Sequence, residues 1–199
     1  MTKQIFLAGA TGKTGRLLAR ELTSQGHAVT ALVRDSSDTS VLPDSVVLKQ
    51  ADLTDLAAGT CEGADVVIFA AGSGGSTGPE MTDKVDRQGA MQLVDLAKDA
   101  GVKRFVMLSS SGADQSNPSG DLAHYLKAKH DADEHLKASG ITYTILRPVT
   151  LTDYGRSTDI LLGGNVEKTA KASRADVAYV LAEAALGKYD DRALDMQSG

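Results

Sequence analysis

Three glycines at three-residue spacing separate an apolar run from an amphipathic one near the start of the chain. Residues 5–15 read Ile-Phe-Leu-Ala-Gly-Ala-Thr-Gly-Lys-Thr-Gly. The apolar run before Gly9 has the length and composition of a buried strand. After Gly15, Leu17, Leu18 and Leu22 recur at helical spacing, with Arg16, Arg20 and Glu21 on the opposite side. A strand, a glycine turn and a helix start bring free backbone N–H groups and the positive end of a helix dipole to one point, which suits a pyrophosphate. Gly9 permits the tight turn, Gly12 lets the backbone approach phosphates, and Gly15 allows close helix–strand packing. The spacing is G-x-x-G-x-x-G rather than G-x-G-x-x-G, so the weight of the motif rests on its place after the first strand of an alternating β/α chain.

That alternation continues. Strands are expected at Ala28–Val33, Val46–Gln50, Ala64–Ala70, Val102–Leu108 and Ile141–Leu146. Helices are expected at 81–100, stopped by Gly101, and at 122–139, closed by Gly140. Beyond Val149 the pattern weakens to loops, a short strand near Val166, a helix over Ala175–Leu186 and a last strand near Leu194. The order predicts an α/β fold with a doubly wound parallel sheet, one domain over 1–199, in which about 149–199 form a small substrate-side appendage. Ligands of such a sheet bind at the carboxyl ends of its strands.

Composition excludes several function classes. The chain has 199 residues and a net charge of −5, no Trp and one cysteine. The acidic balance and scarce aromatics argue against nucleic acid and anionic membranes as partners. No apolar run approaches the ~18 residues of a membrane span, and the N-terminus shows no signal-peptide pattern. Cys61 alone makes no intrachain disulfide and fits a reducing, cytoplasmic compartment; it reads as a small buried residue rather than a reactive thiol. The partner expected is a small molecule, and the protein is a monomer or a homodimer.

The second strand ends where such a fold reads the adenosine ribose. Arg34 stands there, with Lys13 in the glycine loop as a second cation. A guanidinium matches the 2′-phosphate of NADP in forked geometry. At ~1.5–3 kcal/mol per charged hydrogen bond, the preference over NAD is roughly tenfold to a hundredfold. With Asp35 facing the ribose instead, NAD becomes possible. Asp52, before Leu53, either accepts from the adenine amino group or caps a helix. Ala70, Ala71 and Gly72 are small enough for backbone to pass close to the cofactor. Ser73–Pro79 forms a loop near the nicotinamide end.

His124-Tyr-Leu-Lys-Ala-Lys129 holds a Tyr-x-x-x-Lys spacing that puts Tyr125 and Lys129 on one helix face. A tyrosine with pKa near 10 becomes an acid–base group at pH ~7 only with ~4 kcal/mol of phenolate stabilisation. A lysine one turn away and an oxidised nicotinamide supply it. Ser111, with Ser110 next in line, is placed to hold a substrate carbonyl. His130, Asp131, Asp133, Glu134 and His135 lack ligand spacing and read as a solvated helix face, with no metal site. Arg174 and Asp176 open the late helix and read as structural.

These residues together resemble the short-chain dehydrogenase/reductase superfamily, in its atypical branch of NmrA-like and biliverdin-IXβ/flavin-reductase-type proteins. The matching pieces are Gly9-Ala-Thr-Gly12-Lys-Thr-Gly15, Val33-Arg34, Ala51-Asp52-Leu53, Ala70-Ala71-Gly72, Val102-Lys-Arg-Phe-Val106 with the serines, Tyr125-x-x-x-Lys129 and Ile145-Leu-Arg147-Pro148. The resemblance implies a Rossmann fold with Gly9, Thr11, Gly12, Thr14 and Gly15 around the pyrophosphate, Arg34 at the 2′-phosphate and Asp52-Leu53 at the adenine. It further implies Ala70-Ala71-Gly72 along ribose and nicotinamide, and Ser111, Tyr125 and Lys129 as the catalytic set. Asp86 stands where many relatives carry Asn, and Val149 where many carry Gly. The function implied is an NADP(H)-dependent oxidoreductase reducing a small carbonyl, quinone or flavin-like substrate by hydride transfer. The alternative is an NADP(H)-binding redox sensor without turnover. A nucleotide-sugar epimerase or dehydratase is disfavoured by the short C-terminal region.

Overall fold

A computed structural model of the chain describes residues 1–74, 77–157 and 159–199. Two residues of the expected Ser73–Pro79 loop, 75 and 76, lie outside the described residues.

The strands are β1 (Gln4–Ala8), β2 (Ala28–Val33), β3 (Val47–Gln50), β4 (Val66–Phe69), β5 (Arg104–Leu108), β6 (Thr142–Pro148), β7 (Thr150–Thr152), β8 (Ile160–Leu162), β9 (Lys171–Ser173) and β10 (Arg192–Ser198). The helices are α1 (Gly15–Ser24), α2 (Pro79–Thr82), α3 (Ala90–Asp99), α4 (Ala123–Ala138) and α5 (Arg174–Ala185). The main sheet runs β3-β2-β1-β4-β5-β6-β10-β8. All its pairs are parallel except β10 with β8. The strand order reverses between β1 and β4, the crevice in which a doubly wound sheet binds its ligand.

Both sheet faces are covered, which explains why the strands read as continuous apolar runs. In β1, Ile5 and Leu7 face a layer of α1 and α5 that includes Leu18, Leu22, Val177 and Leu181. Phe6 and Ala8 face the opposite layer, with Leu93, Val94 and Ala97 of α3 and Ala132 and Leu136 of α4. The sandwich of sheet between two helix layers confirms the doubly wound reading.

Four expectations need correction. The helix expected over 81–100 is continuous but not uniform: Asp83–Gly89 winds as a π-helix between α2 and α3. Gly89 explains part of this, since a Cβ there would lie 2.5 Å from the Leu53 carbonyl oxygen. The wide turn lets the chain pass close to the Leu53 loop, with both Asp86 and Gly89 buried. No helix follows Asp52; its carboxylate accepts from the Thr54 amide at 2.8 Å in a local turn. The region 149–199 is not an appendage. The apolar α5 completes a helix layer against α1, and β10 pairs with β6 inside the main sheet. The short strands there are β7, β8 and β9, with none at Val166.

Cys61 is fully buried, and burial pushes its thiol up to about 11, slightly offset by Lys49. At pH 8 about one thiol in a thousand is then ionised. The native protein is expected to leave a thiol-reactive dye untouched for hours, with one equivalent reacting on unfolding. Rapid native labelling contradicts this.

Candidate active site

The glycine turn is tight and closely packed. Gly9 has φ +82°, and a Cβ there would lie 2.5 Å from the Ala71 amide nitrogen. At Gly15 a Cβ would fall 2.0 Å from the Gly9 carbonyl oxygen. The first glycine therefore serves the turn and the third the close approach of α1. Gly12 and Lys13 are exposed at the tip. Among the described residues no side chain caps the start of α1, and its first turn has no acidic residue. Arg16 donates its amide to the Gly12 carbonyl at 3.0 Å, and no carboxylate of the first turn competes for an anion at this helix start, which fits a dinucleotide pyrophosphate. Ala70 donates its amide to the Ala8 carbonyl at 2.9 Å, which ties the Ala70-Ala71-Gly72 segment to the end of β1, beside the turn.

At the end of β2, Arg34 is exposed and forms no side-chain bond among the described residues. Asp35 accepts from the Gln50 side chain. Asp52 is held by the amide and hydroxyl of Thr54, which keep its carboxyl below the usual range, with Arg34 contributing to a lesser degree. Lys13 turns elsewhere: its Nζ lies 2.9 Å from Asp153, which Arg174 also engages at 2.7 Å.

Along α4, Tyr125, Lys129 and Asp133 stand four residues apart on one face. Tyr125 is half-buried on the wall of a cleft of about 540 Å³, with Ser109, Ser110 and Ser111 across from it. The serines follow β5 and stay beside β6, through Ser109 N–H to Leu146 O at 2.7 Å and Ser111 N–H to Pro148 O at 3.0 Å. Ser109 is the buried one, and its hydroxyl donates to Asp133 at 2.9 Å. Ser110 and Ser111 are left facing the cleft, where a carbonyl-binding role was expected.

Lys129 lies beneath Tyr125. Its Nζ is 2.9 Å from Asp86 Oδ1, 5.7 Å from the Tyr125 ring centre and 5.5 Å from that of Phe69. The side chain is 4 % exposed and its partner 0 %. Burial opposes the Lys129 charge, but Tyr125, Asp86 and Asp133 outweigh it and hold the ammonium above the usual lysine range. Asp86 also accepts from the Ser73 amide at 2.9 Å, joining the lysine to the segment after β4.

Asp133 does not belong to a solvated face. It is fully buried and accepts from Arg147 Nε at 2.9 Å. Burial pushes its carboxyl above the usual range, against Arg147, Ser109 and Lys129. Its signal in the sequence was its spacing, one turn past Lys129. Three other members of that cluster are half-buried: His130 meets the Ala113 carbonyl, Asp131 meets Lys127 and His135 meets Asp95. His124, at the surface, meets the Pro79 carbonyl at 2.8 Å. Asp176 has the structural role expected, accepting from the Ser157 amide at 3.0 Å while fully buried.

A glycine turn at the strand-order reversal of a doubly wound sheet defines a dinucleotide-binding Rossmann protein. The family described as NAD(P)H-binding matches residues 9–187, and the chain belongs to it. The resemblance to atypical short-chain dehydrogenases/reductases therefore stands, with a nicotinamide dinucleotide as cofactor. The chain is 36 % identical over 203 residues to the uncharacterized sugar epimerase YhfK of Bacillus subtilis, covering 98 % of this chain and 94 % of that one. A Bacillus halodurans structure, provisionally described as an NAD-dependent epimerase/dehydratase, superposes with TM-score 0.92 at 32 % identity over 99 % of this chain and 94 % of the other. The oxidoreductase YlbE of Lactococcus lactis superposes with TM-score 0.85 at 28 % identity, over 98 % and 91 %. Among the described residues no helix is long and apolar enough to cross a membrane.

Proposed function

We propose that the chain is an NADP(H)-dependent oxidoreductase that reduces a small carbonyl, quinone or flavin-like substrate. The observation that carries this reading is the placement of Tyr125 and Ser111 on one cleft, with an ion-paired Lys129 beneath the tyrosine ring. A dinucleotide, when bound, would supply the hydride. Ser111, or Ser110 beside it, donates a hydrogen bond to the substrate oxygen. Tyr125 gives that oxygen its proton. Lys129 stabilises negative charge on the tyrosine oxygen as the proton leaves, and Asp86 fixes the lysine. Gly9, Thr11, Gly12, Thr14 and Gly15 would hold the pyrophosphate, with Asp52 and Leu53 at the adenine and Ala70, Ala71 and Gly72 along the ribose and nicotinamide.

The preference for NADP rests on Arg34, which is exposed, while Asp35 is engaged by Gln50. Lys13 contributes to the 2′-phosphate only by leaving Asp153. Arg34→Ala is expected to weaken NADPH binding by about tenfold to a hundredfold, the worth of one or two charged hydrogen bonds, with NADH affinity unchanged. Titration of both cofactors measures this; an unaltered NADPH/NADH ratio removes the argument for NADP.

The reaction itself is tested by NADPH consumption against a panel of quinones, flavins, tetrapyrroles and aldehydes. Turnover on one class supports the reductase. Tight NADPH binding with no turnover on any acceptor points instead to a redox-sensing role.

A further inference from the structure

The cleft beside Tyr125 carries a charge pattern at odds with the rest of the chain. The protein is acidic, at −5, yet the only charged residues among those lining the cleft are Lys168 and Arg174. Among the described residues no carboxylate lines it. The two cations come from the segment after β8 and from the first residue of α5. Neither is next to the glycine turn in sequence, and no residue of 9–15 lines this cleft. The lining of the cleft is therefore separate from that of the turn, although Arg174 and the turn's Lys13 share Asp153.

The two cations differ in availability. Arg174 gives one nitrogen to Asp153 at 2.7 Å. Lys168 is exposed and makes no ion pair among the described residues. The opposite part of the wall is apolar, with Leu122, Leu126, Val149 and Leu151. Leu122 is 63 % exposed at that wall, an apolar surface that a bound molecule would cover. The cleft volume of about 540 Å³ falls in the ordinary range for a small-molecule pocket.

We propose that this cleft selects a substrate with an oxyanion on an apolar or aromatic body, the oxyanion bound by Lys168 with Arg174 and the body lying on the leucine wall beside Tyr125. The proposal rests on the reductase reading only in taking this cleft as the substrate site. A phosphate, sulfonate or carboxylate shares the necessary chemistry.

The test uses two matched pairs on protein loaded with NADP⁺. FMN and riboflavin share one ring system and differ by a phosphate. 1,4-Naphthoquinone-2-sulfonate and 1,4-naphthoquinone differ by a sulfonate. Equilibrium binding, by flavin fluorescence and by calorimetry for the quinones, is expected to favour the charged member of at least one pair by about tenfold at low salt, fading as ionic strength rises. Lys168→Ala is expected to abolish most of that preference, and Lys168→Arg to retain it. The side chain is exposed, so neither change threatens folding. Equal affinity within both pairs, absence of binding by all four, or a preference that survives Lys168→Ala overturns the proposal. Failure of the reductase reading looks different: charge-selective binding without NADPH oxidation on any acceptor sinks the reductase and leaves the oxyanion site standing. Turnover without charge preference does the reverse.

Discussion

NADPH-dependent turnover of Tyr125→Phe protein is expected to fall about 10²–10⁴-fold, the usual worth of a positioned proton donor. The change removes one oxygen and keeps the ring. The ring faces the Lys129 ammonium at 5.7 Å, so packing against α4 and the buried ion pair should survive. Stability and NADPH affinity are therefore expected to match the parent protein, and the loss should appear in kcat. Steady-state kinetics on the best acceptor, with a cofactor titration beside it, separates these quantities. Full turnover in the variant would mean that the proton reaches the product from solvent. A flavin-type acceptor, which accepts hydride without needing an enzyme proton at the same instant, permits that outcome.

Lys129→Met is expected to cost ~3–5 kcal/mol of stability, because it leaves a buried carboxylate without its cation. Asp86 is wholly inaccessible, so water cannot replace the ammonium. The double variant Lys129→Met, Asp86→Asn should recover most of the loss, since the amide oxygen still accepts from the Ser73 N–H. Denaturant titration of the three proteins measures both numbers. A single variant as stable as the parent would mean that the pair adds nothing. The pH dependence has a definite sign. The folded Lys129 ammonium titrates above the ordinary lysine value of 10.5. Its contribution is thus fully present below 10.5 and is lost as pH rises through the higher folded value. Across neutral pH it is constant. An alkaline limb in the denaturation midpoint that disappears in the double variant identifies it.

Much of this molecule was legible along the chain. The three glycines, the apolar strands and Gly101 and Gly140 after the long helices act through neighbours in sequence. Local rules place them, and β2 at Ala28–Val33 agrees residue for residue with its expectation. The Tyr125–Lys129 spacing is local too, since one helix face suffices to state it. Elsewhere the local signal was outweighed. Asp133 looked solvated because charged residues surround it on α4, but Arg147 on β6 and Ser109 after β5 meet it in the core. The π turn over Asp83–Gly89 lies against Leu53, some thirty residues earlier in the chain, where a Cβ at Gly89 would fall 2.5 Å from the Leu53 carbonyl oxygen.

The sequence by itself determined that the chain would form a doubly wound sheet with a glycine turn after its first strand, and that a tyrosine and a lysine would share a helix face. Those features depend on periodicity and backbone chemistry. Only the tertiary structure decided that Lys129 is buried against Asp86, that α5 and β10 complete the core rather than hang from it, and that Lys168 and Arg174 share a cleft with Tyr125. Each of these depends on the desolvation or charge of groups brought together from distant segments, which neither spacing nor composition reports.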